Sequence, residues 1–579
     1  MKIDDLNILF DISDSSLNIV LDDILAIKND NDNDNEKKNS DKIIVNENIF
    51  TDTKINEWAK SIPSTKGGIK IFEKILKTPI NNKELLLKRQ NTNYELLGYQ
   101  YDILKANEKD ILWIMTLDKE INEDISIKLL YPSGYIINNL NYFNHILLIY
   151  HLYKIIILPL MCIGYPITIF YTPFYYLNYY MKFNITFTKY ISLIYEVIKI
   201  CFKFSGNLKA DLMKILTVFI YISIYIYSIY QTFYISYIIY KTREKLLNKL
   251  NGLYNFIKTA IIIIKQSNNI WKPFFIYNTL NDDILNNSIN NLDKLENNLS
   301  TVYKLWKHDN YKTDIINILK IIYTIDIIDA LTKLKQNENW CIPTYDNTIT
   351  QIWAINNPLL TCEQISNPVN LSKNIIITGV NAGGKTTYVK SITINIILAQ
   401  TIGIINAIKG NIYLYDAITS LMRVSDELGY KSYFEAETSV CNEMIKIAED
   451  LNKNGKRGLI LMDEPMHSTP PIEGIAVAYS VAEYLAKLQG ITLILTTHFH
   501  NLIELETKHE SLFRNLSVNA DYEKETNSYK FNYKIRRGPT RQIIAIELLE
   551  KNKFNNEVIL SAIEMKNKIY NENLRNVSI

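Results

Sequence analysis

At 579 residues, 47% hydrophobic and 21% charged, the chain is long enough to bury several cores and is expected to hold roughly two to four domains. Its formal net charge of +2 gives no basic excess of the kind that marks a strong nucleic-acid binder. Ile, Asn, Lys and Tyr are over-used, with 40 Tyr against 18 Gly, a bias toward residues with AT-rich codons that inflates raw hydrophobicity and makes spacing the better guide.

Residues 1–60 read as a polar, partly disordered segment, with the low-complexity run NDNDNDNEKKNS from Asn29 to Ser40 as a linker. No basic stretch followed by an apolar core opens the chain, so no cleavable signal is expected. Residues 61–154 turn helical, with Ile71, Ile75 and Leu85 to Leu87 near turn spacing around a break at Pro79. The region 155–240 is apolar. Ile155 to Met181 is free of charge for 27 residues and Ile215 to Tyr240 for 26. As one helix the second stretch would be about 39 Å long, enough for a hydrocarbon core of about 30 Å. Its thirteen Ile, Leu, Val and Phe residues favour insertion by about 4 to 8 kcal/mol, offset in part by seven Tyr and six Ser, Thr or Gln. Two membrane spans would return the chain to its starting side, with kinks expected at Pro159, Pro166 and Pro173. Against this, the segment between them carries six Lys against Glu196 and Asp211, contrary to the positive-inside tendency. The alternative is a soluble helical core with Tyr227, Tyr230, Tyr234 and Tyr237 as a packed stripe. Residues 241–345 read as a second polar, helical region. In 346–579 short Ile/Leu-rich strands alternate with helices, the pattern of an α/β domain with a mostly parallel sheet. The five cysteines, Cys162, Cys201, Cys341, Cys362 and Cys441, are scattered without metal-ligand spacing, which fits a reducing compartment.

The stretch NIIITGVNAGGKTTYVK carries the chemistry. A β-type run enters Gly379-x-x-x-x-Gly384-Lys385-Thr386 and a helix-compatible run follows. Glycines let the backbone wrap a phosphate, Lys385 reaches the outer phosphates and the Thr386 hydroxyl can hold Mg²⁺. The bland reading, a glycine-rich turn that binds nothing, does not account for the strand before it and the helix after it. Downstream, LILMDEP is a buried-strand pattern that would deliver Asp463 to the Mg²⁺ shell and Glu464 to an attacking water. Many strands end in solvated acids, so this pair gains weight only beside the P-loop. ITLILTTHFH supplies another strand, ending in Thr497 and His498; His498 is placed to sense a γ-phosphate, against the ordinary reading of a hydrogen-bonded strand-end histidine.

The order P-loop, GYKSYFEAE, LMDEPMHSTPP, TTHFHNL resembles the ATPase domain of the MutS family, the ABC-type ATPases of DNA mismatch recognition. Family members read close to T-G-P-N-M-G-G-K-S-T where this chain reads Thr378-Gly-Val-Asn-Ala-Gly-Gly-Lys-Thr-Thr387. The resemblance covers about residues 350–550, and extends weakly to KGGIKIFEKILKTPINNKELLLKRQ and IDIIDALTKLKQ, which are similar to the two ends of the family's lever helices. It implies an α/β P-loop ATPase domain of ABC type after an α-helical lever region, here with a long apolar, membrane-spanning insertion expected between the lever halves. It implies ATP and Mg²⁺ as cofactors. Gly379, Asn381, Gly383, Gly384, Lys385, Thr386 and Thr387 would bind nucleotide, Thr386 and Asp463 the metal, and Glu464 and His498 would be catalytic. Ser432 and Glu437 fall on the family's signature segment, which completes the ATP site of a partner subunit, so a dimer is expected. Two departures stand out. After Asp463-Glu464 the family has a glycine-containing G-x-G-T run, whereas this chain has Met466-His467-Ser468-Thr469-Pro470-Pro471, a stiffer loop. The family's mismatch-reading Phe-x-Glu motif does not occur in the first 150 residues. The resemblance implies a DNA-linked role of repair or recombination type. The alternative is a membrane-anchored ATPase with its ATPase domain facing the cytosol and acting on another partner; without an anchor the protein would be cytoplasmic or nuclear.

Overall fold

A computed structural model of the chain describes residues 13–25, 43–92, 101–117, 125–135, 137–203, 207–277, 280–346, 348–422, 433–467, 470–523, 528–540, 542, 544, 546–547, 549 and 554–577. Two compact units share the chain, and neither is a single run of sequence. A helical unit takes Met1–Ala26, Asp102–Ile263 and Leu280–Lys320; an α/β unit takes Ile27–Tyr101, Ile264–Thr279 and Ile321–Ile579.

The strands described are Ile44–Val45 (β1), Thr344–Asp346 (β2), Gln351–Ile355 (β3), Asn367–Asn370 (β4), Asn374–Gly379 (β5), Ala407–Tyr413 (β6), Ala417–Leu421 (β7), Gly458–Asp463 (β8), Ile491–Thr497 (β9), Phe513–Glu523 (β10) and Ser528–Arg537 (β11). Seven of them form one sheet in the order β1-β7-β8-β9-β5-β10-β11, and four form a second in the order β2-β6-β3-β4. In the large sheet every neighbouring pair is parallel except β10 with β11. β5 and β7 are buried throughout, so they show no alternation of buried and exposed residues. Helices Lys385–Thr401, Tyr433–Lys453 and Pro471–Lys487 pack on the sheet.

The helix Lys385–Thr401 is rich in β-branched Ile and Thr, poor helix formers whose preference burial overrides here. Its buried amides are all used. The Asn395 amide donates to the carbonyls of Asn356 and Ser391 and accepts from the Asn406 N–H, while Gln400 donates to Ile80 and Tyr415 and accepts from the Tyr415 N–H. Buried amides left unpaired would each be destabilising by about 1–3 kcal/mol.

The N-terminal region is more ordered than its composition suggests. β1 joins the edge of the large sheet beside β7, and Ile49, Phe50, Ile55 and Trp58 are buried, with Trp58 stacked on Trp340 at 5.6 Å between ring centroids. The Asn29–Ser40 linker lies outside the described residues.

Two glycines at the start of helix Lys66–Lys77 have a packing reason. Thr65 caps this helix by accepting the Gly68 N–H, and the buried Asp326 carboxylate, on helix Asp309–Lys335, accepts from the N–H groups of Ser64 and Thr65 and from the Thr65 hydroxyl. Burial raises the Asp326 pKa and these hydrogen bonds oppose the rise. The close approach leaves no room for side chains. A Cβ on Gly67 would fall 2.0 Å from the Tyr323 ring, and one on Gly68 2.6 Å from the Asp326 carboxylate.

In the helical unit, Asn144–Tyr179 and Leu208–Gln266 are long and apolar enough to cross a membrane, with mean hydropathy 2.2 and 1.9 in their most apolar windows. The expected proline kinks are absorbed differently. Leu158–Tyr179 continues as α-helix through Pro166 and Pro173, and the irregularity sits just before Pro159 as a π-helical turn, Tyr153–Ile157. Helix Leu208–Gln266 does not stop at Tyr240, where the charge-free run ends, because Lys241 to Gln266 remain amphipathic enough to pack, with Leu246, Leu250, Leu253 and Ile257 buried. The tyrosine stripe is not a core within this chain: Tyr227, Tyr230 and Tyr237 are exposed and Tyr234 only half-buried.

Gly67→Ala tests the tight contact between these helices. The added methyl should destabilise the α/β unit by about 1–3 kcal/mol through overpacking, despite the gain in helix propensity. A urea unfolding midpoint that falls at constant slope is the expected result.

Candidate nucleotide site

β5 carries the chain to Gly379, and the loop that follows turns directly into helix Lys385–Thr401. Ala382 and Gly384 have positive φ, +61° and +95°. A Cβ on Gly379 would meet the Val518 carbonyl oxygen at 2.5 Å, and one on Gly383 would meet the Val380 carbonyl oxygen at 3.0 Å. The loop is therefore lined by peptide groups with a helix N-terminus behind them, the arrangement that receives an anion.

The Lys385 ammonium is buried and donates to the carbonyls of Gly379 (3.0 Å) and Val380 (3.3 Å); it lies 3.7 Å from Glu464 Oε1 and 3.4 Å from His498 Nε2. Burial lowers its pKa, and Glu464 and Asp463 oppose that shift. The Thr386 hydroxyl donates to Asp463 Oδ2 at 2.8 Å, and Asp463 Oδ1 accepts from the Thr496 hydroxyl on β9. Glu464 follows in a left-handed conformation, φ +53°, with its N–H on the Thr496 carbonyl at 3.0 Å. Its carboxylate meets His498 Nε2 at 2.6 Å. That hydrogen bond holds the Glu464 carboxyl below its ordinary pKa, against partial burial.

Gly379, Asn381, Gly383, Gly384, Lys385, Thr386, Thr387, Asp463, Glu464 and His498 thus come together at the ends of β5, β8 and β9. Ser432 lies outside the described residues, as do Ser468 and Thr469 of the loop after Glu464. Glu437, grouped by resemblance with Ser432 in a segment that serves a partner, is buried within its own subunit. Its carboxylate accepts the Met466 N–H at 2.6 Å, pinning a residue that itself has φ +60°.

Several residues of the site were not legible in the sequence. Thr496 holds Asp463 from a neighbouring strand. A cavity of about 440 Å³ runs from the loop residues Asn381 to Tyr388 to a second wall made by Ile355, Leu360, Ile365 and Tyr533. Tyr533 also has positive φ, +53°, and its ring would lie 3.2 Å from a Cβ on Gly384. One end of the cavity is thus suited to phosphates and the other to a flat, apolar base.

The residues present fit Mg²⁺ and ATP. Thr386 and Asp463 offer hard oxygen ligands, and among the described residues no group of three or more His, Cys, Asp or Glu could hold a metal alone. A Mg²⁺ here would take its remaining ligands from phosphate and water, as that ion commonly does. A parallel sheet with this loop after β5 and an Asp-Glu pair on β8, one strand removed, defines a domain of the P-loop ATPase class.

Comparison with known proteins narrows the class. Residues 375–570 match the family model of MutS domain V. The chain is 29% identical over 250 residues to the DNA mismatch repair protein MutS of Streptococcus pyogenes serotype M5 (strain Manfredo), covering 42% of this chain and 28% of that one. To the protein of the same name from Streptococcus mutans serotype c it is 28% identical over 286 residues, covering 46% of this chain and 32% of the relative. Residues 375–570 are thus similar to the ATPase domain of the MutS family, while the chain spans under a third of the length of these relatives.

Glu437→Ala should destabilise the α/β unit by about 1–3 kcal/mol, by leaving the Met466 N–H without its acceptor. Glu437→Gln keeps an acceptor and should cost less. Denaturant titration of both variants decides it; equal losses would mean the carboxylate's charge matters more than this hydrogen bond.

Proposed function

We propose that the chain binds and hydrolyses ATP with Mg²⁺ and works as a dimer in a DNA-linked role of mismatch-repair or recombination type. The observation that carries the proposal is the junction at Asp463. One carboxylate takes hydroxyl hydrogen bonds from the P-loop helix and from β9, with Glu464 next in sequence and 2.6 Å from His498. The family match supports the ATPase reading, and the similarity to DNA mismatch repair proteins supports the DNA link.

In this reading the loop from Gly379 to Gly384, with Asn381, Thr386 and Thr387, receives the phosphates. Lys385 exchanges its two carbonyl partners for phosphate oxygens, and its burial strengthens that attraction by excluding water. Thr386 and Asp463 hold Mg²⁺, which when bound neutralises phosphate charge. Glu464, kept deprotonated by His498, accepts the proton of an attacking water, and His498 then senses the changed charge beside it. Ser432 of the partner subunit completes the site across the dimer, by resemblance to the family's signature serine. Leu360, Ile365 and Tyr533 hold the base.

Lys385→Ala and Glu464→Gln separate binding from chemistry. The first should abolish nucleotide binding; the second should leave affinity within a few-fold and slow hydrolysis about a hundredfold or more. Equal loss of affinity in both would refute the assigned roles. The DNA link is tested by measuring hydrolysis by the full chain with matched, mismatched and branched duplexes. Stimulation by one of them is the expected outcome, and a rate indifferent to all DNA would count against it.

A further inference from the structure

We propose that residues 144–266 form a helical hairpin inserted in a lipid bilayer, with two proline-freed carbonyls answered by hydroxyls from the opposite helix. This inference is independent of the nucleotide site.

The hairpin is antiparallel, and its register is fixed by two hydrogen bonds. The Tyr225 hydroxyl donates to the Cys162 carbonyl at 2.8 Å, and the Ser236 hydroxyl is shared between the Lys154 carbonyl at 2.9 Å and the Thr232 carbonyl of its own helix at 2.8 Å. Both acceptors lack the usual backbone donor. In an α-helix the Cys162 carbonyl would take the N–H of residue 166, which is proline. At Lys154 the N–H of Leu158 has shifted to Tyr153 in the π-helical turn, and the next residue along, Pro159, has none to give. In water, solvent would satisfy these groups. In hydrocarbon only the protein can, and helix-breaking prolines are tolerated there when neighbouring side chains do so. Other hydroxyls also bond inward to helix carbonyls: Thr168 to Tyr165, Thr172 to Thr168 and Thr232 to Ser228.

The same register sets the depth of the apolar zone. Lys154 lies level with Ser236, and continuing the pairing puts Lys214 roughly level with Tyr175 and Tyr176. Between those levels neither helix carries a charge, for about 20 residues or 30 Å, the thickness of a bilayer's hydrocarbon core. At one end stand Lys154, Lys241 and Lys245. At the other stand Lys182, Lys203 and Lys214, with Tyr175 stacked on Tyr179 and Tyr176 on Tyr180. Cations and tyrosines at both limits suit phosphate headgroups and the interface. The amphipathic helix Phe187–Cys201 is tied at this second end at both its termini, Phe187 by the Phe174 ring at 5.4 Å and the following Lys203 carbonyl by Lys214 Nζ at 3.5 Å. It is placed to lie along the membrane surface.

Exposure chooses lipid over a second copy of the chain. Ile215, Leu216, Phe219, Ile220, Tyr221, Ile222 and Ile224 are all exposed, and at 100° per residue they span about 260° of the helix, wider than the face one partner helix covers. A partner helix covers one face, whereas acyl chains cover every face. Both ends of the hairpin leave on one side.

The test uses the full chain expressed in cells. The wild-type protein should stay in membranes washed with alkaline carbonate, and Ile226→Arg should lower its inserted-to-free ratio about a hundredfold. A wild-type protein that washes off, or that runs without detergent as a discrete dimer, would overturn the proposal in favour of a second copy. The hydroxyl pairing is tested in bicelles. Tyr225→Phe should lower the melting temperature, and the loss should largely vanish in a Pro166→Ala background, where the regained N–H answers Cys162. An equal loss in both backgrounds, or none in either, would overturn the pairing.

Discussion

The α/β unit depends on one carboxylate. Asp463 accepts from Thr386 on the helix that follows the P-loop and from Thr496 on β9, so it fixes the ends of three neighbouring elements to each other. Those strand ends are held closely because the buried strands behind them pair continuously, β8 with β9 from Gly458 to Asp463 and β9 with β5 up to Thr378. Lys385 and Glu464 then fall within 4 Å of each other, Lys385 held by the Gly379 and Val380 carbonyls and Glu464 by Thr496 and His498. The strain shows in the backbone. Glu464 and Met466 both adopt left-handed conformations, and they are held there by Thr496 and by the buried carboxylate of Glu437. Such conformations persist where surrounding contacts over-determine them, and they concentrate at functional sites.

How much of this the sequence disclosed follows from the range of each signal. Gly379 to Thr387 is a local pattern, in which strand, glycine loop and helix are contiguous, so it could be read directly. Asp463-Glu464 needed the P-loop as context. Thr496 and Tyr533 had no local signal: a threonine at a strand end and a tyrosine in a Tyr-rich chain are unremarkable until the sheet order puts β9 between β5 and β8 and brings β11 over the loop. Glu437 was visible, but only as part of a segment whose family role lies in a partner, which hid its bond to Met466. The N-terminal strand β1 was missed for another reason. Two residues carry no periodicity, and their pairing with β7 bridges a separation of more than 370 residues.

The apolar helices show the reverse case, in which length and absence of charge were legible but the fate of the prolines was not. Proline's effect on a helix depends on whether the freed carbonyl finds another donor, and that donor is about 60 to 80 residues away in Tyr225 and Ser236. The same compositional bias thus serves opposite ends in the two units. In the α/β unit Asn and Gln side chains enter the interior of helix Lys385–Thr401 and spend both amide functions on backbone groups that a loop left unpaired. In the helical unit Tyr and Ser hydroxyls answer backbone groups that proline left unpaired, while Ile faces outward. Each arrangement obeys the same constraint, that a polar group removed from water needs a partner inside the protein. The chain meets that constraint with side-chain amides inside helix Lys385–Thr401 and with hydroxyls between the two long helices, in both cases without using a charge.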